Sequence, residues 1–159
     1  MSGKLTHLDE NGRARMVDIG SKNETRRTAI ACADVITLPE TLEAVTEGTV
    51  PKGDVLATAR IAGISGGKKT SDLIPLTHPI AIDSLKVDLT ADKSLPGIRI
   101  EAAVSTHGKT GVEMEALTAV TISALTVYDM LKSMDRGIRI DNVRLTFKEG
   151  GESGTFKAE

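Results

Sequence analysis

The stretch Thr110–Gly137, TGVEMEALTAVTISALTVYDMLKSMDRG, decides how this chain is read. Leu117, Val120 or Thr121, Ala124, Tyr128 and Leu131 recur at three- and four-residue spacing, which predicts one long amphipathic helix with those residues on its buried side. Thr110 followed three residues later by Glu113 is a capping-box pattern for its start, and Gly137 is the residue expected to stop it. The neighbouring segments change period. IAIDSLKVDLT (80–90) and IRIEAAVST (98–106) alternate every second residue and are separated by the turn formers Asp92, Pro96 and Gly97, so they predict a hairpin. Ile138–Lys148 predicts a further strand.

Upstream, TAIACADVITL (28–38) is rich in small and β-branched residues and reads as a strand. PETLEAVTE (39–47) has proline in its first turn and Gly48 just past its end, the usual punctuation of a short helix. A second helix is expected over Asp54–Ile64, burying Val55, Leu56, Ala59 and Ala62 and stopped by Gly66-Gly67, with one further turn at Ser71–Ile74 before Pro75. The resulting order, βα…ββαβ, is that of an α+β ferredoxin-like sandwich: an antiparallel sheet with helices packed on one face and an extra helical insertion. At roughly 100–200 residues per domain, 159 residues make one domain. Residues 1–16, polar and carrying Gly3, Asn11 and Gly12, read as a flexible N-terminal arm, and 17–159 as the single domain.

Composition narrows the function. The chain has two Phe, one Tyr and no Trp, which argues against modules that stack bases on aromatic platforms. With 20 Lys and Arg against 22 Asp and Glu, the net charge is −2, so no global field recruits nucleic acid or an anionic membrane. The lone Cys32 and the absence of a signal-peptide pattern at the start point to a reducing cytoplasm. His7, His78, His107 and Cys32 lack metal-ligand spacing, and no metal site is expected.

Several groups of residues carry chemistry. GGKKTS (66–71) fails the phosphate-loop test, because Lys69 stands where Ser or Thr is needed and Ala62 where the first glycine is needed. In DLIPLTHPI (72–80), Pro75 and Pro79 bracket Leu76-Thr77-His78 and stiffen an extended segment, which either aims an imidazole or is an ordinary surface turn. Glu113 and Glu115 open the long helix; Asp129 and Lys132 close it. All four also suit plain roles, in a cap, at the helix dipole or in an i,i+3 surface pair. Asp129 lies 16 residues after Glu113, roughly 24 Å along a helix, so one small ligand touches both ends only if subunits share a site. Lys52 beside a helix start, with Arg26, Arg27, Lys68, Lys69 and Lys148 near Gly or Pro turns, offers local charge for phosphate. On these residues alone, an enzyme and a non-catalytic nucleotide-sensing module both stand.

KGDVLATARIAGI (52–64), DLIPLTHP (72–79), KTGVEMEALTAV (109–120) and ALTVYDMLK (124–132) resemble the signature blocks of the molybdenum-cofactor biosynthesis protein C family, the cyclic pyranopterin monophosphate synthases. MVDIGSKNETRR (16–27) and VRLTFKEGGESGTF (143–156) extend the resemblance over essentially the whole chain. It implies a lyase that converts 3′,8-cyclo-7,8-dihydroguanosine triphosphate to cyclic pyranopterin monophosphate and releases diphosphate. It also implies a ferredoxin-like fold, a hexamer built as a trimer of dimers, and sites at subunit interfaces.

Carried onto this sequence, the resemblance makes Asp129, Lys52 and Lys132 catalytic, with Asp129 the acid/base candidate. Leu76, Thr77, His78, Glu113, Met114 and Glu115 become substrate contacts, and Lys22, Arg27, Lys68 and Lys148 basic positions near the triphosphate. No resident cofactor is implied, and whether Mg²⁺ accompanies the phosphates stays open. Asp129 beside Lys132 forms a coupled pair in which either could shuttle protons, the more readily if neighbouring cations lower the lysine pKa. Two places depart from the family's pattern: Thr77 stands where many relatives have cysteine, and KEGGESG (148–154) where relatives often have KSGGKSG.

Overall fold

The structure, a computed structural model, describes residues 8–158. Its elements follow in the order β1 (Thr25–Ile36), α1 (Pro39–Glu47), α2 (Val55–Gly67), α3 (Thr70–Leu73), β2 (Ser84–Asp92), β3 (Gly97–Gly108), α4 (Glu113–Leu131), β4 (Arg139–Glu149) and β5 (Phe156–Lys157). Of the arm expected at 1–16, residues 1–7, including His7, lie outside the described residues. In its described part, the Asp9 carboxylate accepts from the N–H groups of Asn11 and Arg13, and Leu8 bridges Ala14.

β1 is the centre of the sheet. Ala29, Ala31, Ala33 and Val35 are fully buried at every second position, the period of a strand with one face on the core. It pairs antiparallel with β3 on one side and β4 on the other, and the five strands run β2-β3-β1-β4-β5. The first four have the ferredoxin-like order, and the helices pack on one face. On the other face, the β1 residue Cys32 faces Glu101 and Arg144. The expected hairpin is β2–β3, closed at Asp92 opposite Gly97.

α1 has the predicted bounds, and Gly48 ends it at φ 69°, a left-handed conformation glycine adopts without cost. α2 differs. It begins where expected, with the Asp54 side chain capping the Ala57 N–H, and ends at Gly67, so that the helix extends past Ile64 and takes both glycines into its last turn. Those glycines mark where α2 meets α4. A Cβ on Gly63 would lie 2.0 Å from Ser123 Oγ, and one on Gly66 would lie 2.7 Å from the Ile122 side chain. The close approach lets the Ser123 hydroxyl donate to the Ala59 carbonyl of α2 at 3.0 Å.

α4 lies over β1, β3 and β4. By length and composition alone it is long and apolar enough to cross a membrane, but here it is the core helix. Of the predicted face, Val120, Ala124 and Leu131 are buried and Leu117 packs partly buried against the core, joined by Ala116, Ala119, Ser123, Val127 and Met130, while Tyr128 is exposed. Small side chains face inward because α2 and the sheet come close, and Tyr128 is left at the rim. The capping box is absent as well. Val112 is the N-cap with no side-chain cap, and Glu113 turns to a lysine instead. The helix ends at Leu131, before Gly137. The glycine-rich tail returns as β5, a pairing with Phe147 and Lys148 that the sequence reading lacked.

Candidate functional site

Two clusters form, one at each end of α4. At its C-terminal end, Lys52 comes from the turn before α2, where Gly53 has φ 93°. Lys52 Nζ donates to the Asp129 backbone carbonyl at 2.7 Å and to Asp129 Oδ2 at 3.2 Å. Lys132 Nζ lies 2.7 Å from Asp129 Oδ1. The last carbonyls of a helix lack intrahelical donors and carry partial negative charge, so an ammonium is well placed there. The hydrogen bond from Lys132, then that from Lys52, holds the Asp129 carboxyl below the usual carboxylate range, and Asp129 raises Lys132. Lys132 is thus raised by its carboxylate partner, the opposite of the lowering expected if neighbouring cations governed it. All three side chains remain about half exposed.

At the N-terminal end, the start of α4 and the stiff segment before β2 enclose a cavity of about 340 Å³. Leu76, Thr77, His78, Glu113, Met114, Glu115 and Lys22 line it. Lys22 also lines an adjoining cavity of about 430 Å³ with Arg27 and the tail residues Gly151, Glu152 and Ser153. Arg27 is aimed by bonds from its guanidinium to the Gly108 and Lys109 carbonyls. Lys148 joins the two cavities, with Nζ 3.0 Å from Glu113 Oε1 and 3.2 Å from Ser153 Oγ. Lys68 sits on a smaller recess that shares Ile80 and Glu115 with the first cavity. The ten residues expected to bind substrate thus gather around three depressions with common walls, and Asp129, Lys52 and Lys132 lie apart from them. A larger depression of about 630 Å³ beside α1, lined by Glu40, Glu43, Glu47 and Lys93, shares none of these residues.

Val17, Ile19, Thr110 and Gly111 also line the first cavity and were missed. The apolar alternation Val17-x-Ile19 in a polar stretch was the available signal. Among the described residues, no three His, Cys, Asp or Glu side chains converge as metal ligands.

Glu115 is 3% exposed, and its Oε2 has no hydrogen-bond partner in the folded chain. Burial, with a smaller push from Glu113, raises its pKa from 4.5 to about 6. Between those values the folded chain keeps a proton that the unfolded chain has released, so stability falls as pH rises through that window. Glu115→Gln, which cannot ionise, is expected to melt about 2–4 °C above the wild type near neutral pH, with the two converging at about pH 4.5. Thermal melts across that range check this.

The sequence model of the MoaC family matches residues 16–151. A cyclic pyranopterin monophosphate synthase from Dinoroseobacter shibae is 56% identical over 159 residues, covering all of both chains. One from Roseiflexus sp. is 57% identical over 152 residues, 96% of each chain. One from Nostoc sp. is 54% identical over 155 residues, 98% of this chain and 92% of its own. With near-complete coverage, and a four-stranded core in the order the resemblance implied, the chain belongs to the MoaC family.

Proposed function

We propose that this chain carries out the cyclic pyranopterin monophosphate synthase reaction of molybdenum cofactor biosynthesis, acting in the cytoplasm as a phosphorus–oxygen lyase. Its substrate is 3′,8-cyclo-7,8-dihydroguanosine triphosphate, and its second product is diphosphate. The observation that carries this reading is the run of depressions at the start of α4, apolar and hydrogen-bonding at one end and cationic at the other. Leu76 and Met114 supply aliphatic walls for a flat ring, while His78 and Glu113 supply hydrogen bonds to its edge. Thr77 adds a hydroxyl and backbone groups, and Glu115, buried beneath, is placed to accept a donor from the ring. Lys22, Arg27, Lys68 and Lys148 face the phosphates, where fixed cations stabilise the charge that develops as diphosphate leaves. Mg²⁺, if present, travels with the triphosphate as part of the substrate.

Opening the imidazole ring, building the pyran and closing the cyclic phosphate all need proton transfers. Asp129, Lys52 and Lys132 are the groups for that work. Since they lie roughly 24 Å along α4 from Glu113, a second copy must bring its own Asp129 cluster to each cavity. We place the two ends together in a hexamer arranged as a trimer of dimers. Covering the exposed triad with a neighbouring chain also removes water, which favours neutral lysine and prepares it to give and take protons.

The test is to supply the cyclised nucleotide to purified protein and follow pterin and diphosphate. Both products are expected to rise together in equal amounts. Saturable binding with the nucleotide recovered unchanged would instead identify a sensing module.

A further inference from the structure

Gly111 lies just before α4, on the wall of the first cavity. Its φ is outside the left-handed region, so the backbone there does not require glycine. What requires it is a side chain. A Cβ at Gly111 would lie 1.9 Å from Glu113 Oε2, 2.6 Å from Cδ and 2.8 Å from Oε1, and these are the three heavy atoms nearest to it. The Glu113 carboxylate is folded back over the glycine, where its Oε1 reaches Lys148 Nζ at 3.0 Å. Lys148 in turn reaches Ser153 Oγ on the tail.

We propose that Gly111 is a positioning residue: the absent Cβ is the space in which Glu113 lies while it joins the start of α4 to Lys148 and the cationic cavity. This rests on the reading of Glu113 as a substrate contact. An alanine at 111 evicts the free end of a flexible side chain and leaves backbone and core untouched. The Glu113–Lys148 pair is also partly exposed, and such pairs add little to stability. The cost therefore falls on substrate binding rather than on folding.

The experiment compares the full-length wild type with Gly111→Ala, Glu113→Ala and the double variant, by steady-state kinetics on the cyclised nucleotide and by thermal melts. Gly111→Ala is expected to lower kcat/KM by about 10- to 100-fold, mainly through KM, with kcat nearly retained. In the Glu113→Ala background the same substitution should change kcat/KM by less than about twofold. All four proteins should melt within about 2 °C of one another. Wild-type kinetics for Gly111→Ala, or an equal loss in both backgrounds, overturns the proposal. So does a fall in melting temperature that persists without Glu113, since the glycine would then serve the fold. Full activity of Glu113→Ala overturns the substrate-contact reading itself, a result distinct from the others and one that removes the proposal's basis.

Discussion

Lys52→Ala is expected to lower kcat by about 10²–10⁴-fold, the usual cost of losing a positioned acid or base, with KM much less affected. The side chain makes two contacts, one to the Asp129 carboxylate and one to the Asp129 carbonyl. Within one chain neither is buried, so the fold itself loses little with the ammonium, and the melting temperature should barely move. Lys132→Ala removes the shorter of the two ion pairs to Asp129 and should fall in the same range. Lys52→Arg separates two roles for the lysine. Arginine keeps the positive charge but does not give up its proton, so activity should stay low if Lys52 transfers a proton. Recovery in Lys52→Arg would limit Lys52 to electrostatics, and full turnover by Lys52→Ala would remove it from the mechanism. Rates of pterin and diphosphate release measure each case.

Much of the fold was legible because its signals are local. The two-residue period of Ala29–Val35 and the punctuation of α1 by Pro39 and Gly48 depend on neighbours in sequence. What failed depends on neighbours in space. Gly66-Gly67 reads only as a helix stop, and α2 does end there, but Ile122 and Leu85 lie where their Cβ atoms would be, so the glycines also serve packing. Tyr128 fits the apolar spacing of α4, but the core selects the smaller side chains one position away. Thr110 and Glu113 match a capping box, but Lys148 from a strand 35 residues on takes the Glu113 carboxylate.

The site divides in the same way. The clustering of Lys52 with Asp129 and Lys132 followed from the resemblance, and the i,i+3 half of it from helical spacing. Helix length alone said that Asp129 and Glu113 do not meet within one chain. Sequence spacing could not show that Arg27, Lys22 and the tail share one cavity, because β1, the segment before it and the return of the chain through β5 bring them together. The scarcity of aromatic residues also gains meaning: the walls of both cavities at the α4 start hold no Phe, Tyr or Trp ring, and aliphatic and charged groups replace stacking on such rings. Glu152 puts a carboxylate on the wall of the cationic cavity.

The largest gain of activity should come from two dead proteins. Lys52→Ala lacks a group at the end of α4, and Glu113→Ala/Lys148→Ala lacks two at its start. Each is expected to be nearly inactive alone, since every site it builds is missing one half. If each site takes its start from one copy and its end from another, random mixing repairs about one site in four. The direct measurement is turnover by mixed oligomers, co-produced with different tags and purified through both. Recovery to about a quarter of wild-type activity is the result expected of a shared site. Mixed oligomers no more active than the two variants measured separately would contradict it.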